Sequence, residues 1–299
     1  MEFKQVVGNT WCFDAGMLIP VYRTDNSHCI MMDTGAQYMR RDIEAALEEQ
    51  GLTPIGLLCT HTHFDHFGNA NYFSHKYRCP VALPLGEAEI CRTVESVKSH
   101  LFAYPEGQVR LDPKMAEIAC MVDHVIRPEE RDTLFRGVLF RVIHTPGHGL
   151  DHVSYITPDN VCYAGDALMC GKSLTHSKLP YTFHFGRSLE SIRRLRDIEC
   201  EAMILAHRGV VYDGFDALAD ENSAVMESSL ETLRKMVDRP MSSGEICREV
   251  CHQLNVRVDT AEKAQNLERF LRPYMEWMVD TGSHRLAVRD CILCYEPAK

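Results

Sequence analysis

Apolar residues along this chain fall in two rhythms. Short, nearly continuous runs of four to eight alternate with longer stretches in which they recur every three or four positions. The first rhythm predicts strands at Thr10–Asp14, Met17–Tyr22 and Cys29–Asp33, punctuated by Asp25-Asn26-Ser27 and closed by Asp33-Thr34-Gly35. Residues 40–50 then read as a helix stopped by Gly51. Strands at 55–59 and 80–84 follow, with a short helix between them. From about 85 to 133 the pattern turns helical, and strands return at 137–144, 152–157 and 160–165. A helix near 188–198 and a strand near 202–206 complete this unit. Runs of strands separated by helices predict an α/β (α+β) fold of two sheets with helices packed outside.

Beyond residue 215 the rhythm is helical. A long helix is expected at about 216–237, and Ser242-Ser243-Gly244-Glu245 has the form of a capping box ahead of Ile246, Val250 and Leu254. A second helix spans about 261–279, where Pro273 implies a kink or a break. His284–Tyr295 reads as a strand or hairpin. Helix, helix and strand in this order resemble a small winged-helix module, so the expected division is 1–215 and 216–299. No internal repeat and no low-complexity tract is present in the chain.

Composition narrows the class. The 299 residues are 45% hydrophobic and 25% charged, ordinary for a soluble globular protein, and contain no run of 18 apolar residues. Met1-Glu2-Phe3-Lys4-Gln5 lacks the basic and apolar regions of an export signal. An odd number of cysteines, 13, scattered singly, fits reduced thiols better than a disulfide framework, so a cytoplasmic location is expected. Cys291 and Cys294 form a C-x-x-C inside an apolar run and are expected to pack rather than to act as a redox pair. The net charge of −10 lies almost wholly in residues 1–233, which carry −11 against +1 for residues 234–299. An acidic body disfavours nonspecific nucleic-acid binding without excluding it.

The chemistry concentrates at Thr60–Gly68, which reads T-H-T-H-F-D-H-F-G and places His61, His63, Asp65 and His66 just past the strand at 55–59. Four such side chains in six positions predict a metal site. Three later segments end strands in the same way: His144-Thr145-Pro146-Gly147-His148-Gly149-Leu150-Asp151-His152, Ala164-Gly165-Asp166 and Leu205-Ala206-His207. Each can aim His or Asp from a loop on a rigid sheet into one cleft. Imidazoles and carboxylates without thiolates suit Zn²⁺, and also Fe or Mn.

These motifs, with Asp33 on an early strand, resemble the metallo-β-lactamase superfamily over roughly residues 10–215. The resemblance implies an αββα sandwich with two divalent metal ions at one edge. It implies one ion on His61, His63 and His148, a second on Asp65, His66 and His207, and Asp166 bridging both. Asp33 would brace the ligand loops, and Asp151 and His152 are expected to support them. Asp65 would orient the attacking water and accept its proton, so Asp65 and Asp166 are the expected catalytic residues.

Substrate contacts are expected from His176, Lys178, Tyr181 and His184 in the loop after Asp166, and from Phe102 and Tyr104 if the 85–133 segment forms a lid. Arg269 and Arg272 are expected to serve packing or dimerisation more than nucleic acid. The leading expectation is a hydrolase acting on a small ester-type carbonyl compound, a thioester or a lactone. Glyoxalase II-like thioesterases and acyl-homoserine-lactone hydrolases share the seven-ligand pattern, although residues 170–190 display no run of basic residues suited to glutathione. A phosphodiesterase or endoribonuclease of the lactamase-like branch is the second reading. A catalytically slow effector protein that retains its metals is the third.

Overall fold

The computed structural model describes residues 1–101, 117–171, 174, 178–207 and 209–298. Seven strands form the first sheet in sequence order: β1 (Glu2–Val7), β2 (Thr10–Asp14), β3 (Leu18–Arg23), β4 (His28–Met32), β5 (Thr53–Leu58), β6 (Val81–Pro84) and β7 (His124–Ile126). The second sheet has the order β13-β12-β11-β10-β9-β8, from β8 (Asp132–Phe135), β9 (Val138–His144), β10 (Val153–Ile156), β11 (Val161–Gly165), β12 (Ala202–Leu205) and β13 (Gly209–Val211). Ile19, Met31 and Leu57 of the first sheet and Phe140, Tyr155 and Tyr163 of the second are fully buried in one apolar layer between the sheets. Helix Arg40–Glu49 seals the outside of the first sheet through Ile43, Ala46 and Leu47. Helices Phe185–Arg196 and Phe215–Met236 cover the outer face of the second sheet. The result is helices, sheet, sheet, helices, the expected sandwich.

Strand direction decides where the chemistry falls. Strands β4, β5 and β6 run parallel, as do β11 and β12, while β10 is antiparallel to both β9 and β11. Strands β9, β11 and β12 therefore point the same way. The loops at the C-terminal ends of β4, β5, β9, β11 and β12 are the five that carry the sequence-predicted ligands and Asp33.

Helices Ser243–Gln253 and Ala261–Asp280 and a hairpin of β14 (His284–Arg289) and β15 (Ile292–Pro297) complete the chain. The Ser242/Glu245 capping box is formed. Leu271, Tyr274 and Met278 of the second helix are buried in the apolar layer that also holds Leu189, Met203 and Leu205, so this segment packs directly on the second sheet's outer helices. Phe185 packs against both Tyr274 and Trp277, and the Tyr274 hydroxyl donates to the Pro180 carbonyl at 2.6 Å.

Three sequence expectations change. The 85–133 segment is not uniformly helical: helices Leu85–Ile90 and Val94–Leu101 give way to β7 and β8 after residues outside the described set. Pro273 does not break its helix, which is continuous from Ala261 to Asp280. Proline deletes one backbone hydrogen bond there, and burial of its neighbours Leu271, Tyr274 and Met275 offsets the cost. Strands β1 and β13 add to the expected set, the first too exposed and the second too short to show a clean period. None of the thirteen cysteines is joined in a disulfide; Cys294 is buried, whereas Cys291 is exposed at the β14–β15 turn. No helix among the described residues is long and apolar enough to cross a membrane.

Leu271→Ala, which removes a fully buried side chain, is expected to destabilise the whole molecule by about 2–5 kcal/mol in urea titration. A loss confined to a separate early transition would show instead that the terminal helices are only loosely joined to the sandwich.

Candidate metal centre

The His61–His66 turn begins three residues past the end of β5, and a left-handed backbone at Asp33 (φ 63°) carries β4 out beside it. Aspartate tolerates that conformation better than most residues. From there Asp33, itself fully buried, collects four donors: Thr60 N at 2.7 Å, Thr60 Oγ1 at 2.9 Å, His66 Nδ1 at 2.8 Å and Tyr163 Oη at 2.6 Å. Since Thr60 Oγ1 spends its proton on Asp33, its contact with His61 Nδ1 at 2.9 Å requires that nitrogen to be the donor. His61 therefore turns the lone pair of Nε2 inward. The Asp33 carboxylate likewise takes the Nδ1 proton of His66 and leaves Nε2 facing the cleft.

Three nitrogens converge on one point. His61 Nε2 lies 3.0 Å from His63 Nδ1, which lies 3.0 Å from His148 Nε2. Shared protons cannot satisfy three mutually adjacent ring nitrogens, whereas one cation can. Beside them Asp65, His66, Asp166 and His207 form a second set, and within each set the ligating atoms all lie within 4.8 Å of one another. Asp166 faces both sets, with Oδ2 3.2 Å from His148 Nε2 and Oδ1 3.2 Å from His66 Nε2 and 3.4 Å from His207 Nε2. Asp65 Oδ2 is 3.4 Å from His207 Nε2. His66 Nε2 and Asp166 Oδ1 are buried and make no aligned hydrogen bond to any described residue. Such orphaned atoms are costly unless something else engages them. The donor set fits two divalent cations.

Protonation agrees with that fit at five of the seven groups, while His66 and His207, held up by the carboxylates beside them, must give up a proton to bind. Burial, reinforced by neighbouring imidazoles, holds His61 and His63 well below the ordinary histidine value, and burial lowers His148 as well. Burial pushes Asp65 upward, yet the adjacent His66 and His207 outweigh it and bring the carboxyl down to about 2. Asp166 is likewise held well below the carboxylate range by His66 and His148 against the effect of burial. Neutral imidazoles and ionised carboxylates are the forms that bind metal.

His152 is placed as a support. Its Nε2 accepts from Asp166 N at 3.2 Å and its Nδ1 contacts Thr145 Oγ1 at 2.8 Å, so both nitrogens are engaged with the protein. The close approach requires glycine at 165, where a Cβ would lie 2.6 Å from His152 Nε2. Asp151 Oδ2 accepts from Gly86 N at 2.9 Å. Tyr181 sets its ring edge-on to His63 and His148, at 5.3 and 5.1 Å, while Arg269 donates to its hydroxyl at 2.6 Å. Tyr181, His184, Arg269 and Arg272 line a cavity of about 530 Å³ that meets the ligand sets only through the Tyr181 ring, since none of the seven ligand side chains lines it. Lys178 donates to the Asn255 carbonyl at 2.9 Å, and the same ammonium reaches the Leu254 carbonyl. His176, Phe102 and Tyr104 lie outside the described residues.

Sequence reasoning missed Tyr163, Thr60 and Thr62, whose hydroxyls bond the buried carboxylates, and it missed Glu87, buried at the head of the helix that follows β6. The available signal was positional: Glu87 follows the C-terminal end of a strand parallel to β5.

Comparison with known proteins places this geometry. The family model for the metallo-β-lactamase superfamily matches residues 21–207. A hydroxyacylglutathione hydrolase of Rhodopseudomonas palustris (strain BisB5) is 32% identical over 133 residues, 43% of this chain and 40% of that protein. The chain thus spans about two fifths of the length of that relative. A second hydroxyacylglutathione hydrolase, from Idiomarina loihiensis, is 23% identical over 75% of this chain and 74% of its own. Among solved structures, a metallo-β-lactamase family protein from Thermus thermophilus superposes with a TM-score of 0.72 at 20% identity, covering 94% of this chain and 93% of the other. The family match covers most of the chain and includes every residue of both converging sets, so the chain belongs to the metallo-β-lactamase superfamily.

Proposed function

We propose that the protein is a metal-dependent hydrolase that binds two divalent ions, zinc in our reading, and cleaves a thioester or lactone of a small molecule. The observation that carries this reading is Asp166, with one carboxylate oxygen turned to each ligand set. His61, His63 and His148 would hold one ion, and Asp65, His66 and His207 the other, with Asp166 shared. Two cations in those places would lower the pKa of a water molecule and polarise the substrate carbonyl.

The chain's own residues do the remainder. Asp65, ionised and beside His207, orients the attacking water and takes its proton as the carbon–oxygen bond forms. When the tetrahedral intermediate collapses, the carbon–sulfur or ring carbon–oxygen bond breaks, and that proton passes to the departing thiolate or alkoxide. Acid and thiol, or the opened hydroxy acid, are the products, with one water consumed. Tyr181 closes the wall beside His63 and His148 and also lines the neighbouring 530 Å³ cavity, which has room for the part of a small substrate remote from the reacting carbonyl. A thioester is favoured by the relatives named as hydroxyacylglutathione hydrolases.

A groove of about 740 Å³ outside the His148 loop favours a second reading. Arg131, Arg141, Arg187 and Arg194 line it, outnumbering the carboxylates Asp132 and Asp151, and this excess of cations would suit a phosphodiester substrate.

Two expected outcomes test the centre. The close carboxylates of Asp166 and Asp65 raise His207 to about 9, and against the effect of burial Asp166 and Asp33 hold His66 well above its usual value. Loading at neutral pH must therefore expel a proton from His207, and the same carboxylates bias His66 towards its protonated form. Apparent metal affinity is therefore expected to rise with pH up to about 9 and then level. Calorimetry at pH 7 in buffers of different ionisation enthalpy should register the released protons; uptake without proton release would contradict the assignment of His207 and His66 as ligands. Activity is tested on acyl thioesters and lactones beside bis-p-nitrophenyl phosphate and single-stranded RNA. Asp166→Ala should abolish turnover and cost up to both ions in elemental analysis. Phosphodiester cleavage without ester cleavage would replace our first reading with the second.

A further inference from the structure

Glu87 is only 2% exposed, and its two oxygens serve different loops. Oε2 accepts from Thr62 N at 3.1 Å and Thr62 Oγ1 at 2.6 Å, and Thr62 stands between His61 and His63. Oε1 accepts from Asp151 N at 3.1 Å, three residues past His148. The intervening turn sits directly on the carboxylate, since a Cβ on Gly149 would come within 2.7 Å of Oε1. Asp151 returns the contact through Oδ2 to Gly86 N at 2.9 Å. Among the described residues Glu87 makes no hydrogen bond to Asp65, His66, Asp166 or His207, whose brace is the separate carboxylate of Asp33 on His66.

We propose that Glu87 is the positioning residue of the three-histidine site: its buried carboxylate sets the spacing between the His61/His63 turn and the His148 loop, and hence that site's affinity for its ion. The proposal rests on the two-metal reading above. Only an ionised carboxylate accepts at both ends. A glutamine in the same place has one acceptor oxygen, and its amide protons would confront either Thr62 N or Asp151 N and push one loop away. A displacement of a few tenths of an ångström between ligands of one ion is felt at that ion first: Asp33 holds His66 directly and reaches His61 only through Thr60, whereas among the described residues no group but Glu87 hydrogen-bonds to both Thr62 and Asp151.

The test compares the wild type, Glu87→Gln and Thr62→Val after metal loading and dialysis. Elemental analysis gives the ions per chain, and histidine ring ¹⁵N spectra give the site each one occupies. Wild type should retain two ions. Glu87→Gln should bind the ion of His61, His63 and His148 about 10- to 100-fold more weakly while His66 and His207 keep their metal-shifted resonances. Thr62→Val, which removes only the 2.6 Å bond, should weaken the same site by less, and it carries the test if Glu87→Gln does not fold. Two ions at wild-type affinity in the variants would overturn the proposal while leaving the two-metal reading standing. Equal weakening of both sites, or a fall in thermal stability without selective loss, would also overturn it by reducing Glu87 to a structural role. A wild type that holds no divalent ion would defeat the two-metal reading itself, and this proposal with it.

Discussion

Seven titratable side chains, two of them fully buried and five partly so, crowd one edge of this molecule, and everything else about the chain answers to the cost of keeping them there. Each imidazole or carboxylate would gain by turning outward to solvent. They stay because each rides on a loop only a few residues past a buried strand, and because buried groups behind them occupy the hydrogen bonds that would let them rotate. Asp33 takes four donors, His152 spends both nitrogens, and Thr60 hands one proton forward and accepts another. The consequence is chemical as well as mechanical. Fixing the proton on Nδ1 of His61 and His66 commits Nε2 of each to the cleft.

Such a cluster needs a sandwich rather than a single sheet. Strands β4 and β5 bring Asp33 and the His61–His66 turn from one sheet, whereas β9, β11 and β12 bring His148, Asp166 and His207 from the other. The two ligand sets do not divide by sheet. His148 from the second sheet completes the set begun by His61 and His63, and Asp65 and His66 from the first join His207. Separating the sheets would therefore dismantle both sets at once, so the apolar layer of Ile19, Met31, Leu57, Phe140 and Tyr155 is part of the site's support.

Much of this was legible in the residues. Strands such as Thr10–Asp14 and Val138–His144 carry dense apolar runs, and the seven side chains picked from the motifs are the seven that the fold gathers. What escaped reading was of a different kind. Strand β1 is largely exposed and alternates weakly, and β13 has only three residues, so neither has a period to detect. The continuous helix through Pro273 depends on tertiary burial, which local propensity does not contain. Glu87 has no motif around it; an acid in a short helix looks like a solvated surface residue until the strand before it is known to end beside the ligand turns.

The terminal helices bear on the site through a short strap rather than by direct coordination. Tyr274 holds the Pro180 carbonyl, Arg269 holds the Tyr181 hydroxyl and Lys178 reaches back to Asn255, so residues 178–181 are tied to the last third of the chain at three points. The next three residues are tied to the metal loop instead. Thr182 Oγ1, Phe183 N and His184 N all donate to the carbonyl of Gly147, at 2.9, 2.6 and 2.9 Å, immediately before His148. A carbonyl with three donors cannot shift without breaking several bonds together. His148, which is less deeply buried than His61, is thus steadied from one side by the Glu87–Asp151 contacts and from the other by a strap whose far end is anchored in the C-terminal helices. The loop that supplies the third nitrogen is the one most in need of such restraint, because it is the only member of that set delivered from the opposite sheet.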